Sequence, residues 1–218
     1  MKLLKKNIIC LLLSIVTIAS FLSVEANAKP NKQHINKGHA IKDKVSINDS
    51  DVIESDILTY DELVQEVVKN ENLTVEEAKE FLGINEKLRS GGHYRTYTKS
   101  VYVTAGYRPT LVFYCKTSEW GNYRGILSVI KSSMNRSYYG VSKAFEGELY
   151  TNLEDASNIY YELNGDFYDY GYTSFSAGAE ITVGGQATAN FSVSRESNHY
   201  RYCYQSGRYT INRWKNNY

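Results

Sequence analysis

Tyrosine is the residue whose distribution most constrains what this chain can fold into. Of the 20 tyrosines in 218 residues, 19 lie at or after Tyr94. Aromatic and β-branched side chains suit the pleated, half-buried surface of a sheet. From His93 onward, short alternating or apolar runs are separated by Gly, Asn and Ser. We therefore predict a mainly β protein, with an antiparallel β-sandwich or barrel-like domain over residues 91–218.

Within this β-rich region, the stretch from residue 187 to 194 shows the clearest two-residue alternation. Ala187, Ala189, Phe191 and Val193 fall on one side of an extended chain and polar residues fall on the other, which predicts a strand buried on one side. The preceding glycine pair at 184–185 predicts a tight hairpin. By the same argument, the glycines at 165 and 207 are expected to separate neighbouring strands.

Two short helices are predicted before the β-rich region, within residues 50–90. Thr59 with Glu62, and Thr74 with Glu77, have the spacing of capping boxes. Apolar residues follow each pair at helical spacing, which predicts helices near 60–69 and 75–82. Helices this short are marginal alone. Their apolar faces must be buried against each other, against the β-rich domain, or against another molecule.

The N-terminus has the features of a secretory leader. Three lysines precede an apolar run that reaches Val24, and Ala26-Asn27-Ala28 forms a cleavage site. This predicts a signal peptide over residues 1–28 and export from the cell, with an uncleaved anchor as the alternative. Residues 29–49 are polar and Lys-rich, as in a flexible linker or propeptide.

The charge and hydropathy of residues 29–218 argue against some classes of binding partner. Residues 29–218 carry 22 basic and 23 acidic residues, a net charge of −1, which argues against a nucleic-acid partner. The sequence has no second long apolar segment, so we expect no stable membrane insertion. A cell-envelope glycan or an extracellular protein fits this chemistry better.

Two cysteines, Cys115 and Cys203, remain once the leader is removed. An even pair in an oxidising compartment predicts a disulfide between them. Two free thiols are the alternative, and a nucleophilic Cys203 is a third reading. That reading would use His199 as the base, but four residues of extended strand separate the two by about 13 Å, too far for a hydrogen bond.

The sequence offers few groupings for catalysis and none typical of a metal or cofactor site. It contains no metal-ligand spacing, nucleophile elbow or phosphate loop. Glu146 and Glu148 share one strand face, and Asp166 and Asp169 flank an aromatic cluster. A glycan hydrolase would need two such carboxylates across a cleft. Solvated strand charges are the usual explanation for such carboxylates, so we predict no enzyme activity, no metal and no cofactor.

The aromatic stretch from residue 160 to 175 is the strongest positive signal for binding. Tyrosine combines a flat stacking face with a hydroxyl for hydrogen bonds, although sheets also use tyrosine simply for packing. The predicted function is a secreted, soluble bacterial binding module acting at the cell envelope or outside the cell. A toxin or bacteriocin-like effector and a glycan-acting hydrolase are the alternatives. The candidate ligand-binding residues are Tyr160, Tyr161, Asp166, Phe167, Tyr168, Tyr170 and Tyr172.

Overall fold

Two helices and twelve strands make up the part of the chain that the structure, a computed structural model, describes: residues 52–83, 91–194 and 198–214. The helices are α1 (Tyr60–Glu71) and α2 (Val75–Leu82). The strands are β1 (Val52–Glu54), β2 (His93–Ser100), β3 (Thr110–Trp120), β4 (Tyr123–Asn135), β5 (Ser137–Tyr138), β6 (Val141–Ser142), β7 (Ala144–Asp155), β8 (Asn158–Tyr168), β9 (Tyr172–Ser176), β10 (Ile181–Thr182), β11 (Gln186–Ser194) and β12 (His199–Thr210). The predicted leader (1–28) and linker (29–49) lie outside the described residues.

The strands form two five-stranded antiparallel sheets. Sheet I has the order β1-β2-β3-β4-β10, and sheet II has the order β12-β8-β7-β11-β9. Strands β5 and β6 form a small separate hairpin. The prediction of a mainly β, antiparallel fold with two helices near its start is confirmed, and the architecture is a sandwich, not a closed barrel.

The described residues form three layers: the two sheets and the helical pair. The main core lies between the two sheets, where Phe113 of β3 meets Tyr161 of β8 and Tyr97 of β2 meets Tyr209 of β12. A second core lies on the other side of sheet I, under the helices. Its buried members are Tyr60, Leu63, Val64, Val67, Ala78 and Leu82 from the helices and Tyr94, Val112, Tyr114 and Ile130 from the sheet.

This layering explains why the strands of the two sheets differ in sequence pattern. Residues 111–115 of β3 read Leu-Val-Phe-Tyr-Cys, and all five are buried because sheet I is covered on both faces. In β8, buried and more exposed positions alternate from Asn158 to Tyr168. Such alternation is typical of a sheet with one face on the core and one in water.

The helical pair begins and ends where its sequence signals indicate. Thr59 accepts from the Glu62 amide, and Glu62 accepts from the Thr59 amide at 2.7 Å. Thr74 and Glu77 repeat this capping box at α2. Of the three burial partners considered for the apolar faces, the structure shows the helices packed on each other and on sheet I. Burial on the sheet supplies the stability that helices of 12 and 8 residues lack alone.

Two glycines expected to separate strands lie inside strands instead, so those predictions were wrong. Gly165 lies within β8 and Gly207 within β12. A Cβ atom on Gly207 would come within 2.8 Å of the Tyr161 hydroxyl. Each glycine leaves space for an aromatic ring rather than a turn, which is a recognised use of glycine within strands.

The predicted hairpin at Gly184-Gly185 was also wrong, because the chain changes sheets there. Strand β10 pairs with β4 in sheet I, whereas β11 pairs with β7 in sheet II. The turn is fixed to sheet II by Leu153, whose carbonyl accepts from the Gly184 amide at 2.7 Å and whose amide donates to the Gly185 carbonyl at 3.1 Å. The predicted one-sided burial of β11 is confirmed by Ala189 and Phe191.

The predicted disulfide is not formed: Cys115 and Cys203 are both free thiols buried in the main core. Cys115 lies on β3 in sheet I and Cys203 on β12 at the edge of sheet II. A bond between them would have to cross the main core from one sheet to the other. The thiol of Cys115 instead donates to the carbonyl of Phe113 at 3.7 Å.

Candidate functional site

The outer face of sheet II is the broad surface that the helical layer leaves exposed. We call it the open face. It consists of the side chains that alternate with the buried ones along four strands. These are Tyr202, Tyr204, Ser206 and Arg208 of β12; Tyr160, Glu162, Asn164 and Asp166 of β8; Glu146, Glu148, Tyr150, Asn152 and Glu154 of β7; and Gln186, Thr188, Asn190 and Ser192 of β11.

Strand register places these side chains in rows that cross the sheet. One row places Tyr150 of β7 between Glu162 of β8 and Thr188 of β11. The next places Tyr160 of β8 between Arg208 of β12 and Asn152 of β7. Neighbours in a row have Cβ atoms about 5 Å apart, so aromatic, amide and carboxylate groups lie within contact distance of one another.

A groove of about 500 Å³ runs over the centre of the open face. Two tyrosine rings form part of its wall: Tyr150 and Tyr160, with centroids 6.4 Å apart and planes inclined by 69°. The volume lies within the roughly 300–1,000 Å³ typical of small-molecule sites. The residues lining the groove are Glu148, Tyr150, Asn152, Glu154, Tyr160, Glu162, Thr188 and Arg208.

Two contacts fix the polar rim of the groove. Arg208 Nη2 donates to Glu154 Oε1 at 2.7 Å, and the Nε atom of Arg208 donates to the other oxygen. These hydrogen bonds lower the pKa of Glu154. The hydroxyl of Tyr160 donates to Glu162, and this bond raises the pKa of Tyr160. The guanidinium and the Tyr160 ring are thereby held in place beside the groove.

Other groups on the open face are held by single hydrogen bonds. The Tyr202 hydroxyl donates to Asn164 Oδ1 at 2.8 Å, and His199 Nε2 lies 2.7 Å from Asp166 Oδ1. Glu146 and Glu148 are exposed, and neither has a hydrogen-bond or ion-pair partner among the residues that the structure describes. These two carboxylates are therefore free to accept from a ligand.

The open face is strongly acidic although the protein as a whole is close to neutral. It carries five carboxylates and one guanidinium, a net charge of −4, whereas the whole chain has a net charge of +1. A surface of one sign attracts ligands of the opposite sign and repels polyanions. The carboxylates are Glu146, Glu148, Glu154, Glu162 and Asp166.

The seven candidate ligand-binding residues fall into three groups. Tyr160, Asp166 and Tyr168 lie on the outer side of β8. Tyr161 and Phe167 are buried in the main core, so they pack the sandwich and are not available to a surface ligand. Tyr170 and Tyr172, 77% and 69% exposed, lie beyond the end of β8. Successive side chains of a strand point to opposite faces of the sheet, so neighbouring aromatic residues lie on different sides.

The carboxylates considered for hydrolysis are only partly brought together. Glu146 and Asp166 are register partners on β7 and β8, and Glu148 is two residues further along β7. They lie side by side on one open surface, whereas glycosidase carboxylates flank the bond between them. Asp169 is engaged elsewhere, in an ion pair with Lys143 at 2.9 Å.

Seven of the eight residues that line the groove were missed as binding candidates, and only Tyr160 was among them. Their sequence signal is the two-residue alternation Glu-x-Glu-x-Tyr-x-Asn-x-Glu in β7 and Tyr-x-Tyr-x-Ser-x-Arg in β12. Each alternation marks side chains that share a face. Local aromatic density, which selected 160–175, cannot find a surface assembled from four separate strands.

Residues 52–83, 91–194 and 198–214 contain neither a metal centre nor a membrane-spanning helix. No group of three or more His, Cys, Asp or Glu side chains there is placed to hold a metal ion. No helix in that part of the chain is long and apolar enough to cross a bilayer.

Comparison with known proteins gives no relative. The chain matches no protein-family model, no curated protein and no solved structure.

Proposed function

We propose that this protein is a secreted binding module that holds a saccharide chain of the cell envelope on its open face. The observation that carries the proposal is the groove beside Tyr150 and Tyr160, on the broad face that no helix covers. The predicted leader supports encounter with envelope polymers.

The chemistry of the groove suits a sugar ring. One side of a pyranose presents C–H groups that pack on an aromatic face, and its hydroxyls need donors and acceptors around the edge. Tyr150 and Tyr160 supply the aromatic surface, and tyrosine does so with little loss of side-chain entropy. Asn152, Thr188 and Glu148 supply amide, hydroxyl and carboxylate groups at the rim.

The open face is already organised before a ligand arrives. Glu162 holds Tyr160 within β8, and Glu154 of β7 holds Arg208 of β12 across the outer side of β8. A site built on strands and held by such contacts loses little conformational entropy on binding. An extended polymer also fits a broad open surface better than a small molecule does.

The proposal is tested by binding to a panel of immobilised glycans, comparing the wild-type protein with Tyr160→Ala and Tyr150→Ala. Removal of one stacking ring should weaken binding about tenfold or more, since such aromatic contacts contribute about 1–3 kcal/mol. Tyr139→Ala is the matched control, because Tyr139 is 91% exposed and lies in the turn between β5 and β6. Binding that survives both groove variants, or no binding to any glycan, would contradict the proposal.

A further inference from the structure

We propose that the saccharide held on the open face is an amino-sugar polymer with free, positively charged amino groups. This inference rests on the proposed function and specifies its ligand class. Three features of the surface combine in it: tyrosine rings for the sugar rings, amides for the hydroxyls, and carboxylates for the ammonium groups.

The charge of the open face favours positively charged saccharides over neutral and negatively charged ones. With a net charge of −4, it repels polymers that carry phosphate or carboxylate groups. A neutral glycan offers only uncharged hydroxyl and amide donors to Glu146 and Glu148, which have no partner among the described residues. A protonated amine supplies three donors, and a hydrogen bond between charged groups is stronger than one between neutral groups.

The position of Glu148 links the charge to the groove. Glu148 lines the groove and lies two residues from Tyr150 on the same face of β7. A hexosamine ring packed on Tyr150 therefore brings its amino group near the Glu148 carboxylate. Glu146 continues the series on the same strand, about 7 Å further along, where it can take the amino group of the next sugar.

Polymer length also suits the surface. Along β7 the open face runs from Glu146 to Glu154, a length of about 27 Å at about 3.4 Å per residue. Several sugar units can therefore lie on it at once. Each exposed charge contact contributes little, about 0.2–1 kcal/mol, so selectivity for the amine form needs several such contacts together.

Isothermal titration of the protein with glucosamine hexamer and with N-acetylglucosamine hexamer tests the inference. Two or three charge contacts predict about tenfold tighter binding of the amine form at low salt. That preference should fall as salt is raised, because exposed charge pairs are screened. Glu148→Gln should weaken binding of the amine form about threefold more than binding of the acetylated form.

The matched control is Glu76→Gln, because Glu76 is an exposed carboxylate on α2, away from the open face. It should bind both hexamers as the wild-type protein does. Equal affinity for the two hexamers, with loss of both in Tyr160→Ala, would overturn the amino-sugar inference and leave the proposed function standing. Failure of both hexamers to bind would overturn the inference. Tight binding of hexalysine without binding of glucosamine hexamer would also overturn it, in favour of a basic peptide.

Discussion

The ring of Phe145 packs against Gly165 across the β7–β8 ladder. A Cβ atom on Gly165 would lie 2.6 Å from Phe145 Cζ and 2.2 Å from the Glu146 carbonyl oxygen. Gly147 is the register partner of Gly165, so two glycines face each other beneath one ring. The Gly147–Gly165 pair is the next register pair to Glu146–Asp166, whose side chains lie on the open face.

The first prediction concerns this close approach. Gly165→Ala should lower the free energy of unfolding by about 3 kcal/mol, because backbone and ring must both move to admit a methyl group. Urea denaturation measures the loss. Gly106→Ala is the control: nothing lies within 4 Å of a Cβ atom there, so its effect should stay within about 0.5 kcal/mol. Similar small effects of both substitutions would contradict the packing described.

The second prediction concerns the buried guanidinium of Arg95. It contacts Glu119 at 2.7 Å, Glu54 at 2.9 Å and the carbonyl of Ser55 at 2.7 Å, and so ties β1 to β2 and β3. Arg95→Ala should cost about 3 kcal/mol, because the buried Glu119 carboxylate loses this charged partner, whereas Glu54 keeps its ion pair with Arg124. Thermal or urea unfolding checks this value. Arg208→Ala breaks an exposed ion pair and should cost far less; a loss as large as that of Arg95→Ala would argue against this account.

The third prediction uses the buried carboxylate of Glu71, at the C-terminal end of α1. Tyr114 and Ser133 each donate to it at 2.8 Å, but burial outweighs these bonds and raises its pKa above 4.5. A raised carboxyl pKa means that the folded state holds its proton more tightly than the unfolded state. Above the folded pKa the ionised group therefore lowers stability, and this penalty fades as the pH falls toward 4.5.

Glu71→Gln should therefore unfold at higher urea concentration than the wild-type protein at pH 7. The difference should shrink as the pH is lowered through the folded pKa of Glu71. Urea midpoints measured across this pH range provide the test. Glu76→Gln, at an exposed position on α2, should show neither the gain nor its pH dependence. If Glu71→Gln were less stable than the wild-type protein at pH 7, and this deficit disappeared at acid pH, the predicted sign would be wrong.

The fourth prediction concerns the thiols. Protein that begins at residue 29 should show two reactive cysteines in denaturant and very slow reaction when folded. Burial raises the pKa of Cys115 and of Cys203, and Cys203 is 6% exposed whereas Cys115 is fully buried. Cys203 should therefore be alkylated first. Timed alkylation followed by mass spectrometry gives the order. Protein with no titratable thiol in denaturant would show that the cysteines pair.

Local signals in the sequence predicted the elements well where one short segment carries the whole signal. Both capping boxes form as expected, because each depends on residues three positions apart. The β class followed from tyrosine and β-branched content. The continuous apolar run in β3 indicates a sheet covered on both faces, and the alternation in β8 indicates a sheet covered on one. This difference was recognised only when the structure assigned the two strands to different sheets.

The errors arose where a residue serves a distant partner. Gly165 and Gly207 have the local signature of a turn, but Phe145 and Tyr161 require their lack of a side chain. Cys115 and Cys203 were predicted to pair, but the strand order places them in different sheets, and both are free thiols. The groove escaped notice for the same reason, since Tyr150 and Tyr160 come together only through the β7–β8 register.

The helices cover sheet I alone, so the part of the chain that the structure describes has two unlike broad sides. Copies attached through the open face to one polymer would all turn α1 and α2 outward. The exposed residues of these helices include Asp61, Glu62, Glu76, Glu77 and Glu80. A positively charged polymer coated in this way would acquire a negatively charged exterior. Each bound copy would therefore change which charged molecules the polymer attracts and which it repels.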